Sequence, residues 1–221
     1  MAWIELKPEG AGPIRAWRAD PSGKPRGGIV VIQEIFGVNS HIRSVADRFA
    51  AEGYLAVAPG IFEHVEPKFD VGYDAQSRER GIAIMNTVDR EQMLRDFAAA
   101  IAVAKEGGKV GVVGYCLGGT VAWGAAGQLS GLSAAVGYYG GGIIGLKDLK
   151  PKVPTLLHFG EKDQHIPIAG VKEVAAAHPD VEVHIYPADH GFNCEQRDSY
   201  DAPSAKLAWT RTLEFLTKHV G

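Results

Sequence analysis

The chain has 221 residues, 22% of them charged, and a net charge of -3. That size supports a substantial core and is expected to form one α/β domain over residues 1–221. No basic stripe points to nucleic acid, no apolar run reaches the length of a membrane span, and Met1-Ala-Trp-Ile-Glu-Leu-Lys7 lacks the regions of a signal peptide. The two cysteines, Cys116 and Cys194, are too few for a disulfide framework, so a reducing cytoplasm is the expected setting.

Short strands near Ile4-Glu-Leu6 and over Ile14-Arg-Ala-Trp17 are expected to form an antiparallel edge, followed by the turn-rich connector Asp20–Arg26. Gly28-Ile-Val-Val-Ile-Gln33 is a β-branched run suited to a strand buried on both faces. A loop leads to a helix over about Ser40–Ala51, and Tyr54–Ala58 is the next buried strand, stopped by Pro59-Gly60. Residues Ile61 to Tyr73 look irregular, as part of a cap or loop near a site. Helical periodicity covers Ala75–Met85 and Arg90–Lys105. A strand before Cys116, a helix to about Gln128 and the strand Ala134–Tyr139 follow. Thr155–Phe159 and Val181–Tyr186 are further strands, with helices over Ala169–Ala177 and Ala205–His219. This alternation predicts a mostly parallel central sheet with helices on both faces, and chemistry at the carboxyl ends of its strands.

Gly114-x-Cys116-x-Gly118 lies between an apolar strand and a helix-compatible run. It is a cysteine version of the Gly-x-Ser-x-Gly nucleophile elbow, in which small residues let a sharp turn expose the nucleophile. The helix start behind the cysteine favours thiolate over thiol, and the N–H of Leu117 is placed to stabilise an oxyanion. A cysteine among apolar residues is otherwise a small buried side chain, so the partners decide. Asp163 follows the strand Thr155–Phe159, and His190 follows Val181–Tyr186. Nucleophile, acid and base thus occur in the chain order Cys116, Asp163, His190. His190 takes and returns the proton, and Asp163 orients its ring. Among the other histidines, His158 and His184 lie within strands, His158 as a core or supporting residue, and His165 suits a loop role more than pocket lining. His41, His64, His178 and His219 suit surfaces or helices, and Asp189 a turn.

No zinc spacing appears, and no Gly-Lys-Ser/Thr follows Gly140-Gly-Gly142. Gly140, Gly142 and Gly145 match a dinucleotide fingerprint formally, but Pro151 follows too closely for the required helix. That stretch is expected to be a flexible turn, and neither metal nor cofactor is implied. Glu34, directly after a buried strand, is either a salt-bridged loop residue or a carboxylate that takes a thiol as its donor.

Gln33-Glu-Ile-Phe-Gly37, Gly114-Tyr-Cys-Leu-Gly-Gly119, Ala135-Val-Gly-Tyr-Tyr-Gly140, Asp163 and His190-Gly-Phe192 together resemble the dienelactone hydrolase (carboxymethylenebutenolidase) family. The resemblance implies an α/β-hydrolase fold and matches Cys116, Asp163 and His190 to the triad. It matches Glu34 to a glutamate that holds the thiol before substrate arrives, and the N–H groups of Ile35 and Leu117 to the oxyanion hole. It implies hydrolysis of a small ester or lactone, foremost an enol lactone from chlorocatechol breakdown; a monomer or small homo-oligomer is expected, with no nucleic-acid or membrane partner. Tyr139 is a substrate-binding candidate on the same basis. The family binds its substrate's carboxylate through arginines. One of those positions is Cys194 here, with Arg197 three residues on, and the other falls near Arg78 and Arg80. A general carboxylesterase or thioesterase, and a thiol redox or sensor protein on a hydrolase fold, are the alternatives.

Overall fold

The computed structural model describes all residues, 1–221. The contacts between residues divide it into two compact units, Met1–Val110 and Gly111–Gly221.

The first unit holds strands β1 (Ala2–Leu6), β2 (Ile14–Ala19), β3 (Gly28–Ile32) and β4 (Leu55–Pro59) in the order β1-β2-β4-β3. β1 and β2 pair antiparallel, as do β2 and β4, whereas β3 and β4 run parallel, with Val30 opposite Val57. Helix α1 (Ser40–Ala51) starts where the Asn39 side chain accepts the N–H of Ile42 at 3.2 Å. Its inner face carries His41, Ile42, Val45, Ala46 and Phe49, spaced three and four residues apart. His41 is thus a helix residue, one of the two placements the sequence allowed, and it is fully buried. Helices α2 (Ala75–Met85) and α3 (Arg90–Ala104) follow, capped by Asp74 and Asp89. Neighbouring residues of a strand point to opposite faces. Trp17 reaches Asp47 on α1 at 2.8 Å, and Arg18 reaches Glu106 just past α3 at 2.7 Å, so these helices cover opposite faces of the β2 edge. Residues 61–73 form turns with an isolated bridge between Gly37 and Asp70, tied down by an Arg15–Glu63 ion pair at 2.9 Å.

The second unit is wholly parallel in its strand pairing, in the order β5 (Val110–Tyr115), β6 (Ala134–Tyr138), β7 (Thr155–Gly160) and β8 (Glu182–Tyr186). β5, β6 and β7 are buried at every residue, which is why they are continuous apolar runs. Helix α4 (Leu117–Gln128) crosses close to Gly137, where a Cβ would lie 3.1 Å from the Gly119 carbonyl oxygen. The next residue, Tyr138, instead reaches Thr212 on helix α6 (Ala202–His219) at 2.6 Å. α4 and α6 therefore lie on opposite faces of β6. Helix α5 (Ile168–Ala177) joins β7 to β8.

Two expectations are corrected here. The stretch after Gly140 is a short 3-10 helix over Gly141–Leu146, not a flexible turn. Ile143 is buried, and the Gly142 N–H donates to the Thr120 hydroxyl at 3.0 Å. Helix α6 also starts earlier than expected, at Ala202, because Asp201 caps it and a proline is tolerated in the first turn. No helix is long and apolar enough to cross a membrane.

The Asp201 cap yields the first prediction. Its carboxylate accepts the Ser204 N–H at 2.9 Å, and hydrogen bonds from Ser204 hold its pKa below the ordinary 3.8. Asp201→Ala should lower unfolding stability by about 1 kcal/mol near neutral pH. A depressed carboxylate stabilises above its unfolded pKa and less as pH falls. The gap between variant and parent in urea titrations should therefore shrink below pH 3.8.

Candidate active site

The chain leaves β5 at Tyr115 and enters α4 at Leu117, so Cys116 alone makes the turn. Its backbone sits at φ 54° and ψ -113°, a conformation that costs a non-glycine residue about 1–3 kcal/mol. Small neighbours are mandatory. A Cβ on Gly114 would lie within van der Waals radii of the Gly118 carbonyl oxygen, at 1.9 Å, and one on Gly119 would lie 2.5 Å from the Tyr138 carbonyl. The Cys116 N–H donates to that same Tyr138 carbonyl at 3.0 Å, and its own carbonyl accepts from Gly119 and Thr120, opening the helix. Cys116 occupies the N-cap position, and no side chain caps α4. Its first N–H groups, Leu117 included, thus lack intrahelical acceptors.

Asp163 and His190 meet the cysteine as their order in the chain suggested. His190 Nε2 lies 3.2 Å from Cys116 Sγ, and its Nδ1 lies 2.7 Å from Asp163 Oδ2. The other Asp163 oxygen accepts the N–H of His165 at 2.8 Å, so both carboxylate oxygens are engaged. Burial alone would lower the His190 pKa, but hydrogen bonds to Asp163 and Cys116, with their charges, raise it to about 10. Burial likewise pushes Asp163 up, yet its bonds to His190 and His165 leave it below the ordinary carboxylate value. The imidazole is thus held between a carboxylate and a sulfur.

The Tyr139 ring lies 5.2 Å from His190, at a residue with φ 38°. His165, in the turn after β7, meets His190 edge-on at 5.7 Å. The Arg197 guanidinium lies against Gly191, where a Cβ would come within 2.4 Å of Nη1. That arginine therefore stands beside the backbone of the residue after His190. His158 is a core residue, bonded through Nδ1 to Tyr186 at 2.8 Å and through Nε2 to Thr212 at 3.0 Å.

The remaining candidates lie in the first unit. Glu34 is fully buried just past β3, and the Tyr73 hydroxyl donates to its Oε2 at 2.9 Å. Tyr73 carried no distinguishing sequence signal, being an aromatic residue in an irregular stretch 39 positions away. The Ile35 carbonyl is approached by α2, where a Cβ on Gly81 would lie 2.2 Å from it. Arg78 and Arg80 are exposed on α2, and Arg80 is paired with Glu66. Of the arginine candidates, Arg197 is the one that packs beside His190-Gly191 within the second unit.

A strand-to-helix cysteine, with an acid after β7 and a histidine after β8, defines an α/β-hydrolase. A model of the dienelactone hydrolase family matches residues 14–220. The carboxymethylenebutenolidase of Pseudomonas putida is 37% identical, aligned over 89% of this chain and 87% of its own. A Synechocystis protein provisionally named carboxymethylenebutenolidase is also 37% identical, over 84% of this chain and 83% of its own. A crystal structure from Klebsiella pneumoniae, of a protein provisionally named a dienelactone hydrolase, superposes with a TM-score of 0.87. It is 29% identical and covers 99% of this chain and 98% of its own. The chain belongs to the dienelactone hydrolase family and has its α/β-hydrolase fold. It is a carboxylic ester hydrolase, acting on small esters or lactones.

The raised His190 pKa has a definite pH signature. A histidine raised from 6.5 to about 10 stabilises the fold fully below pH 6.5 and loses that contribution as pH rises through about 10. NMR titration of the imidazole should place its midpoint near 10. Cys116→Ala, by removing two of the raising interactions, should lower that midpoint, and an unchanged midpoint would rule out the sulfur–imidazole coupling.

Proposed function

We propose that the chain is a cysteine-dependent hydrolase whose substrate is a small enol lactone of the dienelactone type. The observation that supports this most is the continuous relay Cys116–His190–Asp163, with contacts of 3.2 and 2.7 Å. In this reading the sulfur attacks the carbonyl carbon as the thiolate of a thiolate–imidazolium pair. The oxyanion that forms is stabilised by the N–H of Leu117. As the ring C–O bond breaks, His190 Nε2 gives its proton to the leaving oxygen, and a thioester remains on Cys116. Nε2 then accepts a proton from water as the hydroxide attacks the thioester. The C–S bond breaks, the carboxylic acid leaves, and the proton restores the imidazolium. Asp163 accepts the hydrogen bond from Nδ1–H throughout and so fixes the ring.

The family resemblance adds the Ile35 N–H to the oxyanion hole and gives Glu34 the task of holding the resting thiol. It also extends the reading to a single domain, working in the cytoplasm as a monomer or small homo-oligomer. Cysteine chemistry suits a reducing setting, where the thiol is not lost to oxidation. Arg197 is the candidate to bind a substrate carboxylate, since it packs on Gly191 beside the catalytic histidine. Cys194 stands where the family places an arginine, and this favours the general carboxylesterase as the second reading.

The nucleophile is tested by substitution. Cys116→Ala should abolish hydrolysis of p-nitrophenyl acetate while the fold is retained by circular dichroism, whereas Cys194→Ala should keep most activity. Activity that survives Cys116→Ala would sink the cysteine mechanism.

The substrate class is tested by charge. An anionic enol lactone should be preferred to its neutral methyl ester, mainly through KM. Arg197→Ala should remove roughly ten- to a hundredfold of that preference, the worth of a charge-assisted hydrogen bond. Neutral-ester turnover should barely change in that variant. A parent enzyme that prefers the neutral ester belongs to the general carboxylesterase reading instead.

A further inference from the structure

A buried chain of hydrogen bonds runs behind the triad within the second unit. Arg211 Nη1 donates to the Tyr186 hydroxyl at 3.1 Å, and that hydroxyl lies 2.8 Å from His158 Nδ1. His158 Nε2 lies 3.0 Å from Thr212 Oγ1, which lies 2.6 Å from the Tyr138 hydroxyl. Tyr138, His158 and Thr212 are all fully buried.

Arginine can only donate, so the Tyr186 oxygen accepts from it, and one consistent arrangement turns the Tyr186 O–H toward His158 Nδ1. His158 then carries its proton on Nε2 and donates to Thr212. Its pKa lies well below the ordinary histidine value, through burial and the nearby His184 and Arg211, in keeping with a neutral ring. The hydroxyls of Thr212 and Tyr138 share the last hydrogen bond.

Cys116 and the ring that lies against His190 both hang from the residues this chain holds. The Tyr138 carbonyl receives the N–H of Cys116 at 3.0 Å, and the His158 carbonyl receives the N–H of Tyr139 at 2.7 Å. Tyr139, at φ 38°, lies against His190. The Tyr138 ring is further sandwiched by Tyr115 at 4.7 Å and His158 at 4.4 Å. A strained residue persists only where its surroundings over-determine it, and here Cys116 and Tyr139 both take their backbone partners from the clamped residues.

We propose that His158 and Thr212 are positioning residues for hydrolysis. They pin the Tyr138 side chain, and through its carbonyl they set the position of Cys116 against His190. The proposal rests on the cysteine-hydrolase reading. Neither residue touches the substrate, so the effect should fall on kcat.

The test is a double-mutant cycle with Thr212→Val and Tyr138→Phe, read as kcat and KM for p-nitrophenyl acetate, with Thr212→Ser as the conservative variant. Each of the first two should lower kcat by roughly ten- to a hundredfold, the scale of a small misplacement of reacting groups, with KM nearly unchanged. The double variant should lose little more than either single one, because the two share one hydrogen bond. Thr212→Ser should recover most of kcat. If Thr212→Val fails to fold by thermal unfolding, Tyr138→Phe decides alone, since it keeps the ring and removes only the hydroxyl. A folded Tyr138→Phe with parental kcat, additive losses in the cycle, or equal losses in Thr212→Val and Thr212→Ser would each overturn the proposal. Activity retained by Cys116→Ala strikes the underlying reading instead, and the proposal with it.

Discussion

The backbone of Cys116 is held at φ 54°, a conformation that a cysteine avoids unless its neighbours impose it. Three things impose it here. β5 arrives fully buried and paired with β6, so the chain cannot shift sideways. α4 begins at the next residue, and its first turn takes the Cys116 carbonyl as acceptor. The Cys116 N–H has its own acceptor on Tyr138, so a relaxed backbone would leave buried polar groups unmade. The glycines at 114 and 119 follow from this geometry, because any Cβ there would overlap a carbonyl. The elbow is therefore the product of sheet pairing and helix initiation, and the site inherits its rigidity from both.

Electrostatics complete what the backbone begins. His190 is mostly buried, a position that by itself would strip its proton. Asp163, whose side chain is fully buried, offsets that loss through one oxygen, while its second oxygen is committed to the His165 N–H. With both oxygens engaged the carboxylate cannot rotate away, so the imidazole has a single supported orientation. That orientation presents Nε2 to the sulfur. The arrangement favours a proton resident on the imidazole.

The parts legible in the sequence were those encoded locally. Gly114-x-Cys116-x-Gly118 announces a turn because glycine spacing and the apolar strand are contiguous, and the end of each later strand showed where Asp163 and His190 would lie. The parallel strands were visible as apolar runs. What escaped was long-range or contextual. The His158–Thr212 contact joins residues 54 apart, and nothing at either position distinguishes a partnered hydroxyl from an ordinary helical threonine. Burial of His41 depended on which face of α1 turns inward. The 3-10 helix after Gly140 formed where its glycines suggested a flexible turn, because Ile143 had an apolar site to fill and Thr120 offered an acceptor.

The chemistry and its selectivity then draw on different kinds of structure. Cys116 directly follows β5, which is buried at every residue, and Asp163 and His190 lie in the turns just after β7 and β8, where strand pairing anchors the chain. Arg197 stands in the turn-rich segment between His190 and α6, where the N–H groups of Cys194 and Arg197 are held by single turn bonds of 2.9 and 3.1 Å. Such a loop tolerates replacement of a charged residue without disturbing the sheet. Cys194, in the same segment, is fully buried. On the proposed reading, ester cleavage depends on the strand ends, whereas the choice of acyl group can drift in the loop beside them. That division explains why family membership specifies the class of reaction more tightly than the substrate.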